Sequence, residues 1–480
     1  MDRCSPSRVV VIGGGPSGLS TAWNLVRDGY QVTLLERESV CGGQSITFSR
    51  DGFSYDLGPH NIHSRRASVI RFLKENLGQV FAENHFEAEI FFQGKRIQYP
   101  FVGLDILKSV HPITMAKIAL SFVARRGASL FTPQMKDDGS YETWIVNRFG
   151  RVFYDIFFGP YSQKVWCMPP AELSDQVAKK RIAVTSIVEL IHSLFFKTQR
   201  YHPENYRLIE NFYPKTGVGA ITDFFEQGIA QGGGEIIKGA QVNKILFKGD
   251  SVNKIVFQRE HKEEVIELPP AELGQVLSTI PINELVTMMN RETPQEVRDA
   301  SLSLDFTAEI FLYLNLKVPR AFNIPLLYFS DSAFPFNRVY DVACFSRQMV
   351  PEGKNALCFE ITCNYGDENY LAQDHEIFER CMRPLESHGL LERAQVESYH
   401  TRRLEHAYPR FRIGYQSRIK SILTFLEAIP NLMTFGRQGL FSYANVDDAI
   451  WMGFEVAKHL RYKDRMALSL DELLPDYINY

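Results

Sequence analysis

The chain opens on an unbroken β-branched run, Arg8 to Ile12 (RVVVI), which predicts a central parallel strand buried on both faces. Leu19, Ala22, Trp23 and Val26 then share one face of a helix predicted over Leu19 to Asp28, which Gly29 closes. Gln31 to Leu35 (QVTLL) predicts a second strand ending at Glu36. Further on, Ala88 to Tyr99 (AEIFFQGKRIQY) alternates about Gly94 and predicts a hairpin, while Asp105 to Ala124 and Tyr141 to Phe196 carry helical spacing. Arg207 to Phe212, Val242 to Phe247, Lys254 to Gln258, Gln275 to Thr279, Ala308 to Leu316 and Leu357 to Thr362 are strand-like, with helices around Gly219 to Ala230 and His375 to His388. A strand over Asn431 to Phe435 and a helix over Val446 to Leu460 can return to the opening βαβ unit. With no internal repeats, these elements predict one multi-domain body.

Composition changes this picture little. At 480 residues the chain is long enough to bury a cofactor between domains, and 45% hydrophobic with 23% charged residues is ordinary for a globular protein. The formal charge of -3 offers no global attraction to nucleic acid or acidic membranes, so neither is expected as a partner. Seven cysteines show no C-x-x-C pair or zinc spacing, and read as reduced thiols of a cytoplasmic protein without a metal site. Neither a secretory signal nor a membrane span is expected, since no stretch approaches 18 uninterrupted apolar residues. The apolar stretch Ile113 to Ala124 reads as core packing, and the pairs Lys179-Lys180 and Arg402-Arg403 as solvated faces.

Between the first strand and helix stands Gly13-Gly14-Gly15-Pro16-Ser17-Gly18, a G-x-G-x-x-G in its proper frame. Gly13 suits the tight turn, Gly15 lets backbone approach a pyrophosphate, and Gly18 allows helix and strand to pack. The helix N-terminus favours an anion, and Glu36 at the end of the next strand can accept ribose hydroxyl protons. Dinucleotide binding follows. After Glu36-Arg37 comes a second glycine turn, Gly42-Gly43-Gln44, and then Gly58-Pro59-His60, where an NAD domain would continue into helix.

The run E-R-x-x-x-x-G-G, with Gly436-Arg437-Gln438-Gly439 near the C-terminus, resembles the FAD-binding fold of amine oxidases, protoporphyrinogen oxidases and UDP-galactopyranose mutases. The resemblance implies FAD, with NADPH or NADH at most a transient reductant. It implies cofactor contacts from Gly13, Gly15, Ser17, Gly18, Glu36, Arg37, Gly42, Gly43, Gln44, His60, Val242, Gly436, Arg437, Asn445 and Val446. Its fold implication is α/β: a discontinuous Rossmann-type FAD-binding domain (1–85, 215–305 and 425–480), an inserted helical domain (101–200) and a mixed, largely antiparallel β-sheet substrate domain (86–100, 201–214 and 306–424).

One branch matches more closely. VNRFG, YSQKVWCMPPAEL and KKRIA between Trp144 and Ile182 look like the helical domain of UDP-galactopyranose mutases and their bacterial protoporphyrinogen-oxidase-like relatives. Arg181 lies fifteen residues after Trp166, and Arg338 ten after Tyr328, as in the mutase pattern for two arginines that hold the substrate diphosphate. Tyr408 and Tyr443 match its phenols, His60 its histidine over the isoalloxazine, and Tyr99-Pro100-Phe101 its Y-P-F wall. The resemblance thus assigns His60, Arg181 and Arg338 to catalysis and Tyr99, Phe101, Trp166, Tyr328, Tyr408 and Tyr443 to substrate binding. His63, beside the flavin histidine, reads as structural.

The implied activity is interconversion of pyranose and furanose forms of a nucleotide sugar through reduced flavin N5. The alternative is an FAD oxidoreductase taking hydride from an amine, a porphyrinogen, a polyene or a sugar. Either would act on a small molecule, and homo-oligomerisation stays open. Three departures bear on this. Val102 and Ser162 replace the amides expected to read uracil, and Pro59 stiffens the histidine loop. Asp448 stands where mutases carry a histidine; an acid near flavin N1 would disfavour an anionic reduced flavin.

Overall fold

The structure is a computed structural model and describes residues 8–62, 64, 66–83, 87–99, 136–181, 211–270 and 274–461, with isolated positions between 113 and 121. His63, Phe101, Val102, the helical run after Arg181 and most of Asp105 to Ala124 lie outside the described residues.

Two sheets frame the molecule. The first is wholly parallel, with strands ordered Leu432–Thr434, Gly274–Ser278, Arg8–Ile12, Gln31–Glu36 and Glu235–Lys238. Val9, Val10 and Val11 at its centre have no solvent exposure, as an apolar run covered on both faces requires. Burying each such side chain contributes roughly 1.5–3 kcal/mol. Helices Pro16–Arg27, Gly219–Gln231 and Val446–Arg461 pack together on this sheet. Their approach is close: a Cβ on Gly453 would stand 2.1 Å from Ser20 Oγ, and Thr21 Oγ1 donates to the Gly453 carbonyl at 3.2 Å. The C-terminal strand and helix therefore do return to the opening βαβ unit.

The second sheet has seven strands in the order Val396–Pro409, Phe306–Leu316, Asn355–Cys363, Arg338–Asp341, Leu326–Phe329, Ala88–Phe92 and Lys95–Tyr99. All neighbours are antiparallel except Leu326–Phe329 with Ala88–Phe92. The Phe306–Leu316 and Asn355–Cys363 strands are buried at every residue, so they read as mostly apolar runs broken by a few polar side chains. Val396–Pro409 escapes that pattern. It is an edge strand, and its mostly polar sequence (VESYHTRRLEHAYP) hides it from a hydrophobicity reading.

One buried carboxylate joins the layers. Asp56 accepts from Thr47 Oγ1 at 2.5 Å, from the Tyr213 phenol and from the Val218 N–H at 3.0 Å. Its own carbonyl accepts the phenols of Tyr313 and Tyr340 at 2.8 and 2.9 Å. The loop Leu57 to His60 leaves this anchor across the large sheet. Gly58, at φ +84°, has no room for a side chain, since a Cβ would meet Glu360 Oε1 at 3.2 Å.

Between Tyr141 and Trp166 the helical expectation holds with one variation: Tyr154–Phe158 forms a π-turn. Cys167, at φ 49°, then ends the run.

Candidate active site

A cleft of about 630 Å³ runs from the edge of the parallel sheet to the face of the seven-stranded one. At the first end, Gly13, Gly15, Pro16 and Ser17 line it beside Glu36, Arg37 and Val242. The geometry separates the roles of the glycines. A Cβ at Gly18 would fall 2.0 Å from the Gly13 carbonyl oxygen, so Gly18 serves packing and lies behind the wall. At Gly15 a Cβ would meet nothing within 4 Å, which leaves the backbone open to the cleft. The helix beginning at Pro16 has neither a side-chain cap nor an acid in its first turn, so its orphan N–H groups await an anion.

Glu36 is 7% exposed and accepts the N–H groups of Gly14 at 2.6 Å and Glu38 at 2.8 Å, tying the glycine turn to the segment that follows the second strand. Burial raises its carboxyl above the usual range, opposed by those two N–H groups. Gly42, at φ +125°, ties the second glycine turn to the first through its N–H on the Gly14 carbonyl at 2.7 Å, whereas Gly43 lines the cleft. A Cβ on Gly436 would press Ser17 Oγ at 2.9 Å. Gly18, Gly42 and Gly436, expected as cofactor contacts, thus shape the cradle from behind. The donor set fits a dinucleotide pyrophosphate.

Gln44, Asn445 and Val446 line the middle of the cleft, with Gln44 Nε2 donating to the His406 carbonyl at 2.6 Å. Arg437 donates to the carbonyls of Ala444 and Ala407 at 2.8 and 2.9 Å and lies over the Tyr443 ring, 4.7 Å from its centroid.

At the far end, Tyr328, Arg338, Tyr408 and Tyr443 converge with His60. Arg338 Nη2 donates to the Tyr408 phenol at 3.1 Å, and the Tyr408 and Tyr443 rings stack with centroids 5.4 Å apart. Arg338 Nε donates to Glu360 at 2.6 Å. Burial works against the guanidinium's charge, but Glu360 and then the phenols of Tyr408, Tyr328 and Tyr443 hold it firmly protonated. The His60 ring nitrogen Nε2 lies 2.9 Å from the Leu57 carbonyl. Burial pushes this imidazole down to about 4; the Leu57 carbonyl opposes the shift, and Arg338 and Arg437 add to it. His60 is therefore neutral near pH 7. Tyr99 stands at the mouth, 39% exposed, its ring 5.7 Å from that of Tyr328.

One expected site residue falls elsewhere, and two lie wholly or by their side chain outside the described residues. Trp166 is 2% exposed and packs behind Tyr408, ring to ring at 6.3 Å, instead of lining the cleft. Its apolar bulk fills the interior. Arg181 ends the described helix Gln176–Arg181, and its side chain and all of Phe101 lie outside the described residues. Asp448 also departs from expectation: it is absent from the cleft wall, and its carboxylate meets Arg66 Nε at 3.2 Å and the Asn445 N–H at 3.2 Å. Nor is Arg403 merely solvated, since it donates to the carbonyls of Tyr370 and Ala372 at 2.7 and 2.6 Å.

Two acids at this end went unread. Glu309 lines the cleft and Glu360 lies behind it, 3% and 0% exposed. Their signal was a lone acid inside each of two otherwise apolar strands, FTAEIFLYL and NALCFEITC.

Residues 11–75 match the model of a NAD(P)-binding Rossmann-like domain. The chain is 36% identical over 83 residues to an L-amino-acid oxidase of Sistrurus catenatus edwardsii, covering 17% of this chain and 16% of that protein. It is 24% identical over 177 residues to a Klebsiella pneumoniae protein described as a probable UDP-galactopyranose mutase, covering 36% of this chain and 44% of that one. The matched part thus spans less than half the length of either curated relative. Over nearly the whole chain, the fold superposes on the crystal structure of reduced UDP-galactopyranose mutase with a TM-score of 0.81 at 22% identity, covering 98% of this chain and 97% of that one. The chain has the fold of that UDP-galactopyranose mutase. In this mutase-like fold the cleft between the parallel sheet and the seven-stranded sheet is built by segments far apart in sequence: the Gly13–Gly18 turn, the Leu57–His60 loop, five strands of the large sheet and the Gly436–Val446 turn.

Proposed function

We propose that the chain is an FAD-dependent enzyme that interconverts the pyranose and furanose forms of a nucleotide sugar. The observation that carries this reading is the convergence of Arg338, Tyr328, Tyr408 and Tyr443 at the end of a cleft whose other end is lined by the glycine turn suited to a dinucleotide. FAD, when bound, supplies the nucleophilic and redox chemistry of its flavin ring. Gly13, Gly15, Ser17 and the first helix would hold its pyrophosphate, with Glu36 and Val242 at the ribose and adenine end and His60 at the flavin end. Residues 1–85, 215–305 and 425–480 would form the FAD domain, residues 86–100, 201–214 and 306–424 the substrate sheet, and 101–200 the helical insertion.

The chain's own groups then serve charge and position. Arg338 and the phenols face a leaving diphosphate whose negative charge grows as it departs, and charge-assisted contacts of this kind contribute about 1.5–3 kcal/mol each. Arg181 joins them in this reading. Neutral His60 orients without adding charge. Ser162, 4% exposed and behind the cleft wall, stands where the resemblance expects an amide that reads uracil, so the base need not be uracil.

A second reading, an FAD oxidoreductase, draws support from the match to an L-amino-acid oxidase and from the prior engagement of Arg338 by Glu360. Here Arg338 would bind a carboxylate. The two separate in one experiment: dithionite-reduced, FAD-loaded protein is incubated anaerobically with UDP-, GDP- and dTDP-hexoses, trapped with borohydride and analysed by mass spectrometry. A flavin–sugar adduct, lost in Arg338→Ala, supports the mutase. Absence of any adduct, with bleaching of oxidised flavin by an amine or sugar, moves the chain to the oxidoreductases.

A further inference from the structure

Among the buried polar residues of the large sheet, Glu309 and Glu360 are two acids on adjacent strands. The register pairs Glu309 with Thr362 and Phe311 with Glu360, which sets the two carboxyls diagonally on one face, where they interact directly. Among the described residues, neither Glu309 Oε1 nor Glu360 Oε1 meets a donor, although both are buried. Two facing carboxylates would repel, and each buried oxygen without a donor costs about 1–3 kcal/mol. A single proton shared by the pair supplies the missing donor. Glu360 keeps its charge for Arg338, 2.6 Å away, so the proton belongs on Glu309. Burial, and next the charge of Glu360, raise the Glu309 carboxyl well above the usual carboxylate range, with Arg338 and Arg437 opposing. Tyr408, Cys358 and Cys363 are the other titratable groups within its electrostatic reach.

Such a group meets a specific chemical need. When a pyranose opens, its ring oxygen must gain a proton; when the sugar recloses as a furanose, another hydroxyl must lose one. The sum is zero, so one acid that gives a proton and takes one back at the same place suffices. Other cleft groups fit the task poorly. His60 carries no proton to give beyond the one engaged near the Leu57 carbonyl. The Tyr328 and Tyr408 phenols are raised above 10 by burial first, which makes them reluctant acids.

We infer that Glu309 is the acid–base residue of the cleft, giving its proton to the ring oxygen of the sugar and recovering one from the hydroxyl that recloses the ring. The inference rests on the isomerase reading above. As the bond from the anomeric carbon to the ring oxygen breaks, its electron pair stays on oxygen, which takes the Glu309 proton. Glu309 is then a carboxylate beside Glu360, a repulsion that Arg338 and Arg437 oppose and that draws the proton back when the ring recloses. A different hydroxyl oxygen of the opened sugar then bonds the anomeric carbon in place of the former ring oxygen, and its proton passes to Glu309, which is an acid again. No oxidant is consumed.

The test compares FAD-loaded wild type with Glu309→Gln and Glu309→Asp. Infrared spectra at neutral pH report the C=O stretch of a protonated carboxylic acid and its shift in D2O. Turnover of UDP-, GDP- and dTDP-hexoses by the reduced proteins is followed by chromatography. The expected result is a wild-type carboxylic band that Glu309→Gln abolishes, unchanged FAD stoichiometry, and turnover lower by about 10²- to 10⁴-fold in Glu309→Gln. Glu309→Asp, which keeps an acid one methylene further back, should fall between the two. It carries the test alone if the glutamine variant fails to hold FAD, and a wild-type rate in it with no protonated-acid band overturns the proposal. A wild type without the band, or a glutamine variant turning over at the wild-type rate, also overturns it while leaving the isomerase reading intact. If wild type turns over none of the sugars, the isomerase reading falls and the proton transfer falls with it.

Discussion

Arg338 stands between Glu360, whose Oε2 accepts its Nε at 2.6 Å, and Tyr408, whose phenol oxygen accepts its Nη2 at 3.1 Å. Glu360 has no solvent exposure, so its charge is tolerable only while the guanidinium is present. The cation that faces the cleft is also the one that lets the sheet interior hold a carboxylate.

Arg338→Ala should therefore destabilise the fold as well as the site. The expected loss is about 3–5 kcal/mol, because an uncompensated buried charge is left behind. Urea unfolding of Arg338→Ala and of Arg338→Ala/Glu360→Gln checks this: the second variant, with no charge to strand, should recover much of the stability. Equal losses in the two would show that Glu360 does not depend on Arg338.

The glycine turn separates folding from binding. Gly18→Ala sets a methyl 2.0 Å from the Gly13 carbonyl and should cost about 1–3 kcal/mol or more as the helix is pushed off the strand. Gly15→Ala meets no protein atom, so the apoprotein should melt as wild type does. Its methyl instead occupies the approach of a pyrophosphate, and FAD affinity should fall by about tenfold or more, a change of roughly 1.4 kcal/mol. Calorimetry and flavin fluorescence titration distinguish the two effects.

His60 should titrate with a midpoint near 4, measurable from the imidazole nitrogens by NMR. The unfolded chain takes up that proton near 6.5. Between the two values the unfolded state binds more protons, so stability falls as pH drops from 6.5 toward 4. Measured against His60→Gln, wild type should lose ground across that window and show no such difference in slope above it. A His60 midpoint near 6.5 would contradict the buried, arginine-flanked setting.

The opening βαβ unit was legible because its signal is local: Val9 to Val11, the glycine turn and Glu36 lie within thirty residues and each has its own physical reason. The cleft's far end was legible through a resemblance, and Tyr328, Arg338, Tyr408, Tyr443 and His60 do meet there. Spacing could not tell which way Trp166 points, because an aromatic residue that walls a cleft and one that fills the core behind it look alike in sequence. Glu309 and Glu360 escaped for a different reason. Their significance lies in standing diagonally on one face of two adjacent strands about fifty residues apart, and pairing register is not written in either strand alone. The edge strand Val396–Pro409 was missed because water reaches it, so no apolar period marks it.

Asp448 offers the opposite pH signature to His60. Burial first, and then the charge of Asp447, raise its carboxyl from 3.8 to about 6, while the Asn445 N–H and Arg66 oppose the shift. Between those values the folded protein binds more protons than the unfolded one, so this group's contribution is present at low pH and is lost as pH rises through about 6. Against Asp448→Asn, wild type should therefore lose stability as pH is raised from 4 to 7. The flavin should be indifferent. Asp448 turns to Arg66, whose guanidinium lies over the Trp451 ring at 3.6 Å, and not into the cleft. The midpoint potential of bound FAD should thus match in wild type and Asp448→Asn, measured by dye equilibration at pH 7. A clear rise in the variant would mean that the carboxylate's field reaches the flavin past Arg66, and would restore an electrostatic role for this position.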